Sequence, residues 1–232
     1  MKKLRLNPNL DQLSLAAEKL HPLLSKIVFV GGCATGLLVS DPAASPVRPT
    51  LDVDAIIEIS SYLDFTRLES QLSELGFRRK QDSLICRWFL DDLILDLMPT
   101  DPAILGFTNR WYRPALKNSA IRRIEEKEIR LVTAPYFLAT KLEAFHGRGR
   151  NEYAMSHDLE DIITIIDGRP ELVTEISLET ADLRQYLSAE FRALLSTAAF
   201  RDALPGHLLP DAASQQRISI VMGRIQQIIN LS

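Results

Sequence analysis

Leu51-Asp52-Val53-Asp54-Ala55-Ile56-Ile57-Glu58-Ile59 is the stretch that decides the fold. Leu51, Val53, Ala55, Ile57 and Ile59 fall on one face, and Asp52, Asp54, Ile56 and Glu58 on the other, which is the period of a β-strand. Asp52 and Asp54 then leave the same face of a sheet two residues apart, and their charges repel. A divalent cation resolves that repulsion. Hard oxygen ligands suit magnesium, which binds through one or two carboxylates together with substrate phosphates. An Asp-x-Asp pair alone is commonplace, so its meaning rests on what surrounds it.

Upstream, Ile27-Val28-Phe29-Val30 is an apolar run rich in β-branched and aromatic residues, stopped by Gly31-Gly32. This pattern predicts a buried strand ending in a tight turn, after which Ala34 to Val39 can form a helix. Glycines at such a junction let backbone N–H groups approach phosphate oxygens at a helix N-terminus, although a plain tight turn uses the same residues. Before the strand, Leu10, Leu13, Ala17, Leu20 and Leu24 recur at helical spacing across 9–25. Between the glycines and Asp52, the segment 41–49 holds three prolines and reads as a loop.

Downstream, Ser60 or Ser61 can cap a helix that runs to about Leu75, with Gly76 placed to end it. Leu84 to Leu90 and Leu93 to Met98 are strand-like runs joined by Asp91-Asp92, a tight hairpin. Asp96 lies in the middle of the second run, where a bare carboxylate is costly to bury. It either joins Asp52 and Asp54 as a third metal ligand or pairs with Arg87 across the hairpin. Lys127 to Val132 reads as a further strand. Pro135 suits the first turn of a helix through Lys141 and Phe145, broken by Gly147-Arg148-Gly149-Arg150. Ser156 caps a helix from His157 to Ile166, and stretches at 179–200 and 214–229 are helical. The expectation is an α+β chain. A mixed sheet flanked by helices fills residues 1–132, and an all-helical domain fills 133–232.

The 232 residues are 46% hydrophobic and 25% charged, as in ordinary globular proteins. No run reaches the roughly 18 apolar residues of a membrane span, and MKKLRLNPNLDQ lacks the apolar centre of a secretory signal. Cys33 and Cys86 form no CxxC pair or disulfide framework, so a reduced, cytoplasmic protein is expected. The net charge of -3 argues against a broad nucleic-acid-coating surface. Between Arg110 and Arg130, however, seven basic residues stand against three acidic ones. With Trp111 and Tyr112 among them, this stretch is compatible with a stacked RNA strand as well as with a solvated face.

Val30-Gly31-Gly32, then Leu51-Asp52-Val53-Asp54, then Asp96 together resemble the signature of the DNA polymerase β-like nucleotidyltransferase superfamily. The nineteen residues between Gly32 and Asp52 are more than many members have, and the proline-rich loop accounts for the excess. Arg48-Pro49-Thr50-Leu51-Asp52-Val53-Asp54 looks more narrowly like the AbiEii-type branch, found as toxins of type IV toxin–antitoxin pairs. Lys141-Leu142-Glu143-Ala144-Phe145, Arg148 or Arg150, and His157-Asp158-Leu159-Glu160-Asp161 are similar to that branch's later motifs.

The resemblance implies a nucleotidyltransferase fold over roughly residues 25–167. It also implies Mg2+ on Asp52, Asp54 and Asp96, nucleotide binding by Gly31, Gly32, Lys141 and Arg148, and an assisting role for Asp158. The implied reaction is attack of an acceptor hydroxyl on the α-phosphate of a nucleoside triphosphate such as ATP, with pyrophosphate leaving. The resemblance leaves the acceptor open among an RNA end, a protein hydroxyl and a small molecule. The AbiEii likeness favours transfer RNA, with an antitoxin protein as partner. The alternatives are an antibiotic-type small-molecule nucleotidyltransferase and a non-catalytic nucleotide-binding protein of the same fold. His157-Asp158 also suggests an HD-type phosphohydrolase, but His21, His146 and His207 have no matching ligand spacing.

Overall fold

A six-stranded mixed sheet organises the N-terminal half of the computed structural model, which describes residues 7, 9–59, 61–81, 83–148 and 152–231. The strands are β1 (Ile27–Val30), β2 (Asp52–Ile57), β3 (Arg87–Leu90), β4 (Leu93–Pro99), β5 (Ala120–Ile124) and β6 (Lys127–Leu131), in the order β3-β4-β2-β1-β6-β5. β1 runs antiparallel to β2 and parallel to β6, and β2 runs parallel to β4. Each outer pair is an antiparallel hairpin. All four β1 residues are buried, as a central strand covered on both faces requires.

The chain divides into two compact units. The first comprises 1–36 and 48–133. The second comprises 37–47 and 134–232, so the chain enters it twice. In the first unit, α1 (Leu10–Lys19) buries Leu13, Ala16 and Ala17 and packs on β2, β4 and β6. α2 (Gly31–Leu38) starts directly at the end of β1, earlier than the Ala34 start expected. α3 (Tyr62–Glu74) is capped by Ser61, whose hydroxyl accepts from the Asp64 N–H; Ser60 lies outside the described residues. α4 (Pro102–Leu105) and α5 (Tyr112–Lys117) follow the β3–β4 hairpin.

The basic stretch at 110–130 is no single surface. It contributes α5 and both strands of the β5–β6 hairpin, and β5 was not anticipated. Trp111 is buried, and the Tyr112 hydroxyl donates to Met98 Sδ at 3.1 Å. The Arg130 guanidinium donates to Ser119 Oγ and to the Leu116 and Ser25 carbonyls. Trp111 therefore presents no face on which a base could stack, whereas Tyr112 is half-buried.

The second unit is built around α6 (Ala134–Arg148), which is buried continuously from Ala134 to Leu142. A helix apolar on all sides belongs at the centre of a bundle. α7 (His157–Gly168), α8 (Leu172–Ser177) and α9 (Ala181–Ser196) pack against it. α10 (Ala198–Ala203), α11 (Ala212–Gln216) and α12 (Ile218–Ile229) complete the unit. Ser156 caps α7 as expected, and α6 runs through Gly147 to Arg148 rather than breaking there; Gly149 and Arg150 lie outside the described residues. The 37–47 segment is fixed by the Gly168 carbonyl, which accepts from the Ser40 and Asp41 N–H groups at 2.9 Å. Arg217 bridges Asp41 and Asp167 at 2.6 Å each. Among the described residues no helix is long and apolar enough to cross a membrane.

Gly31 is the position where the fold leaves no choice of residue. Its φ of 67° is left-handed, and a Cβ there would lie 1.9 Å from Asp54 Oδ2. Gly31→Ala should cost about 2–4 kcal/mol, combining the left-handed penalty with overpacking. Denaturant unfolding measures this. A double-mutant cycle with Asp54→Gly should show favourable coupling of at least ~1 kcal/mol, and strict additivity would dissociate the two residues.

Candidate functional site

Three aspartates share one face of the sheet. Asp54 and Asp96 are direct register partners on the parallel strands β2 and β4, and Asp52 stands two residues before Asp54. Side chains at paired positions point the same way, so the expectation that Asp96 faces the side of Asp52 holds. Asp54 also pairs in register with Val30, the last residue of β1, and its carboxylate lies against the Gly31 Cα. It therefore sits beside the first turn of α2, where the helix carries partial positive charge.

Arg87 ties Asp52 to Asp96. On β3 it is the register partner of Asp96. Its Nε donates to Asp96 Oδ1 at 2.7 Å and its Nη2 to Asp96 Oδ2 at 2.6 Å, a bidentate fork. The same Nη2 donates to Asp52 Oδ2 at 2.7 Å. The hydrogen bonds to Asp96 raise the Arg87 pKa further above its ordinary value, so the guanidinium is permanently charged. The cross-hairpin ion pair that was the alternative to metal ligation by Asp96 is thus formed. Neighbouring Cys86 is pushed up to about 11 by burial and then by the Asp96 charge, so it stays a thiol at neutral pH.

Asn9, which no motif or spacing singles out, holds the approach to this cluster. It is fully buried. Its Oδ1 accepts from the Thr50 N–H at 2.9 Å, and its Nδ2 donates to the Arg48 carbonyl at 3.0 Å and the Gly32 carbonyl at 3.4 Å. The Thr50 hydroxyl then donates to Asp52 Oδ1 at 2.8 Å. One amide therefore fixes the glycine turn and the entry to β2 together.

The donor chemistry of Asp52, Asp54 and Asp96 suits a hard divalent cation. Two of the three already converge on one positive nitrogen, so a cation is accommodated between Asp52 and Asp96. As the side chains stand, however, no three His, Cys, Asp or Glu residues among those described are grouped to hold a metal ion.

In the second unit, Lys141 and Arg148 lie seven residues apart on one stripe of α6, and Asp158 and Asp161 lie three apart on α7. Lys141 Nζ sits 3.1 Å from Asp158 and 2.8 Å from Asp161. Arg148 donates from Nε and Nη2 to the two oxygens of Asp158 at 2.9 and 2.8 Å. Lys141, Asp158 and Asp161 are buried, whereas the Arg148 side chain is 71% exposed. Lys141 is thus no ordinary surface lysine. Burial pushes the Asp158 carboxyl up, but the Arg148 hydrogen bonds and the Lys141 charge outweigh it and hold the pKa below the usual carboxylate value.

A group whose pKa is lowered by folding contributes stability that is complete above its unfolded value and is lost as pH falls through the folded one. Asp158→Asn should therefore cost about 1–3 kcal/mol at neutral pH, and its deficit should shrink below about pH 4. Lys141→Ala, which removes the buried cation between Asp158 and Asp161, should cost about 3–5 kcal/mol. Denaturation measured across pH checks both. A deficit for Asp158→Asn that is independent of pH would remove Asp158 from the acid response.

No family model matches the chain, and no curated protein matches it significantly. Among solved structures the chain is similar to an antigenic nucleotidyltransferase-like protein from Paracoccidioides brasiliensis. The match has 22% identity and a TM-score of 0.48, and it covers 85% of this chain and 92% of that one.

Proposed function

We propose that the chain is a magnesium-dependent nucleotidyltransferase that moves a nucleoside monophosphate from a nucleoside triphosphate to an acceptor hydroxyl. One observation carries the reading: Asp54 and Asp96 are register partners on the face shared with Asp52, with Asp54 packed on Gly31 at the start of α2. Sheet, glycine turn and three carboxylates are thereby joined in one place. The resemblance of Val30-Gly31-Gly32 and Leu51-Asp52-Val53-Asp54 to the polymerase β-like signature supports it.

Asp52, Asp54 and Asp96 are the residues that would hold Mg2+, and the ion would neutralise phosphate charge and acidify the attacking hydroxyl. Gly31 and Gly32 contribute a side-chain-free approach for phosphate oxygens to the N-terminus of α2. The resemblance assigns Lys141 and Arg148 to nucleotide binding, and Asp158 keeps both oriented. In the reaction the acceptor oxygen forms a bond to the α-phosphorus, the bond to the bridging oxygen breaks, and pyrophosphate departs with that electron pair. The acceptor hydroxyl gives up its proton. The acceptor we favour is RNA, specifically transfer RNA, which fits an AbiEii-like toxin with an antitoxin partner.

A second reading has its own support. Arg87 already neutralises Asp52 and Asp96, as a non-catalytic nucleotide-binding protein of the same fold could retain.

Transfer of α-phosphate label from each nucleoside triphosphate to transfer RNA, other RNA and small hydroxyl acceptors separates these readings. Asp52→Ala and Asp54→Ala should each reduce transfer by about a hundredfold or more, at least ~2.7 kcal/mol in the barrier. Lys80→Ala should transfer normally. Transfer that persists without Asp52 and Asp54 would overturn the assignment. Nucleotide binding without transfer to any acceptor would establish the second reading.

A further inference from the structure

We propose that Arg87 is a built-in counter-cation that competes directly with a divalent ion for Asp52 and Asp96, so that the carboxylate site exists in a latched and a loaded form. The inference rests on the metal assignment under the proposed function and adds its regulation.

The first argument is shared atoms. Arg87 Nη2 lies 2.7 Å from Asp52 Oδ2 and 2.6 Å from Asp96 Oδ2. An ion bridging these oxygens needs distances of about 2.0–2.1 Å for magnesium, which places it in the space the nitrogen fills. Two positive centres cannot share that space. The second argument is burial. The Asp96 side chain is only 9% exposed, and a carboxylate so enclosed is costly to leave without a counter-charge. Loading is therefore an exchange of one cation for another.

The third argument is the freedom of Arg87 to leave. β3 is an edge strand of the sheet, bridged on its outer side by Arg78 at Phe89 rather than at Arg87, and the Arg87 side chain is 26% exposed. Among the described residues its guanidinium hydrogen bonds go only to these two carboxylates. Rotation toward solvent therefore breaks no other bond of the head group. Arg87 also supplies one positive charge where a divalent ion supplies two. A divalent ion that binds these oxygens displaces the guanidinium by mass action as its concentration rises.

The experiment uses the full chain without nucleotide and Mn2+ as the probe, with free Mn2+ followed by electron paramagnetic resonance. Wild type, Arg87→Gln, Arg87→Lys and Asp52→Asn are compared near neutral pH. Competition requires Arg87→Gln to bind Mn2+ on the order of tenfold or more tightly than wild type. Its thermal midpoint should be lower than wild type in chelator and should recover on adding Mn2+ by more than wild type gains. Arg87→Lys, which keeps a charge but loses the fork, should bind Mn2+ with an affinity between those two, and it carries the test should Arg87→Gln not fold. Measurable binding by wild type with no gain in either Arg87 variant overturns the competition and leaves the metal site standing. Binding by none of the proteins, with Asp52→Asn indistinguishable from wild type, overturns the metal site and the competition with it.

Discussion

A carboxylate in the middle of an apolar strand cannot be left without a positive partner, and Asp96 in Leu93-Ile94-Leu95-Asp96-Leu97-Met98 imposes that condition on everything around it. The condition is met from the neighbouring strand. A two-residue turn at Asp91-Asp92 sets Leu90 opposite Leu93, and the register then brings Arg87 opposite Asp96. The fork of Arg87 reaches past its partner to Asp52 on the strand beyond, so one guanidinium links three adjacent strands. Asp54, beside them, packs against Gly31 at the start of α2, where a Cβ would collide with its carboxylate.

The second unit solves a similar problem in a different geometry. Lys141, Asp158 and Asp161 are all buried, and Arg148 closes the set from the solvent side. Buried ion sets seldom improve on apolar packing of the same volume, because desolvation cancels much of the Coulomb gain. Stability alone therefore does not explain why the bundle carries one. In both units these cationic groups are engaged with aspartates.

Much of this was legible in the sequence wherever local pattern and core packing agree. β1 reads directly from Ile27-Val28-Phe29-Val30, β2 from its alternation, the β3–β4 hairpin from Asp91-Asp92, and two helix starts from Ser61 and Ser156. β5 was missed because Ala120-Ile121-Arg122-Arg123-Ile124 is an edge strand with three exposed residues in its middle, so hydrophobic periodicity has little to act on. Asn9 was missed for another reason. Its partners Gly32, Arg48 and Thr50 lie 23 to 41 residues away, and an asparagine before a helix reads as a cap. Lys141 was open to reading as a surface residue because nothing local discloses that Asp161 and Asp158 face it from the next helix.

The long spacing between Gly32 and Asp52 gains a physical meaning from the same contacts. The chain leaves the first unit after Gly36, is held within the second by Gly168, Arg169 and Arg217, and returns at Arg48. Gly168 is fitted to that segment, since a Cβ there would meet Val39 at 2.8 Å. A sheet whose two key motifs flank such an excursion would inherit any motion of the intervening segment. Asn9 blocks that path. By holding Gly32 on one side and Arg48 and Thr50 on the other, it closes the loop at its base. The position of Asp52 is thereby set by α1 and the sheet rather than by the loop that precedes it. The spacing can then vary in length without disturbing the carboxylates, because its two ends are bolted to the same side chain.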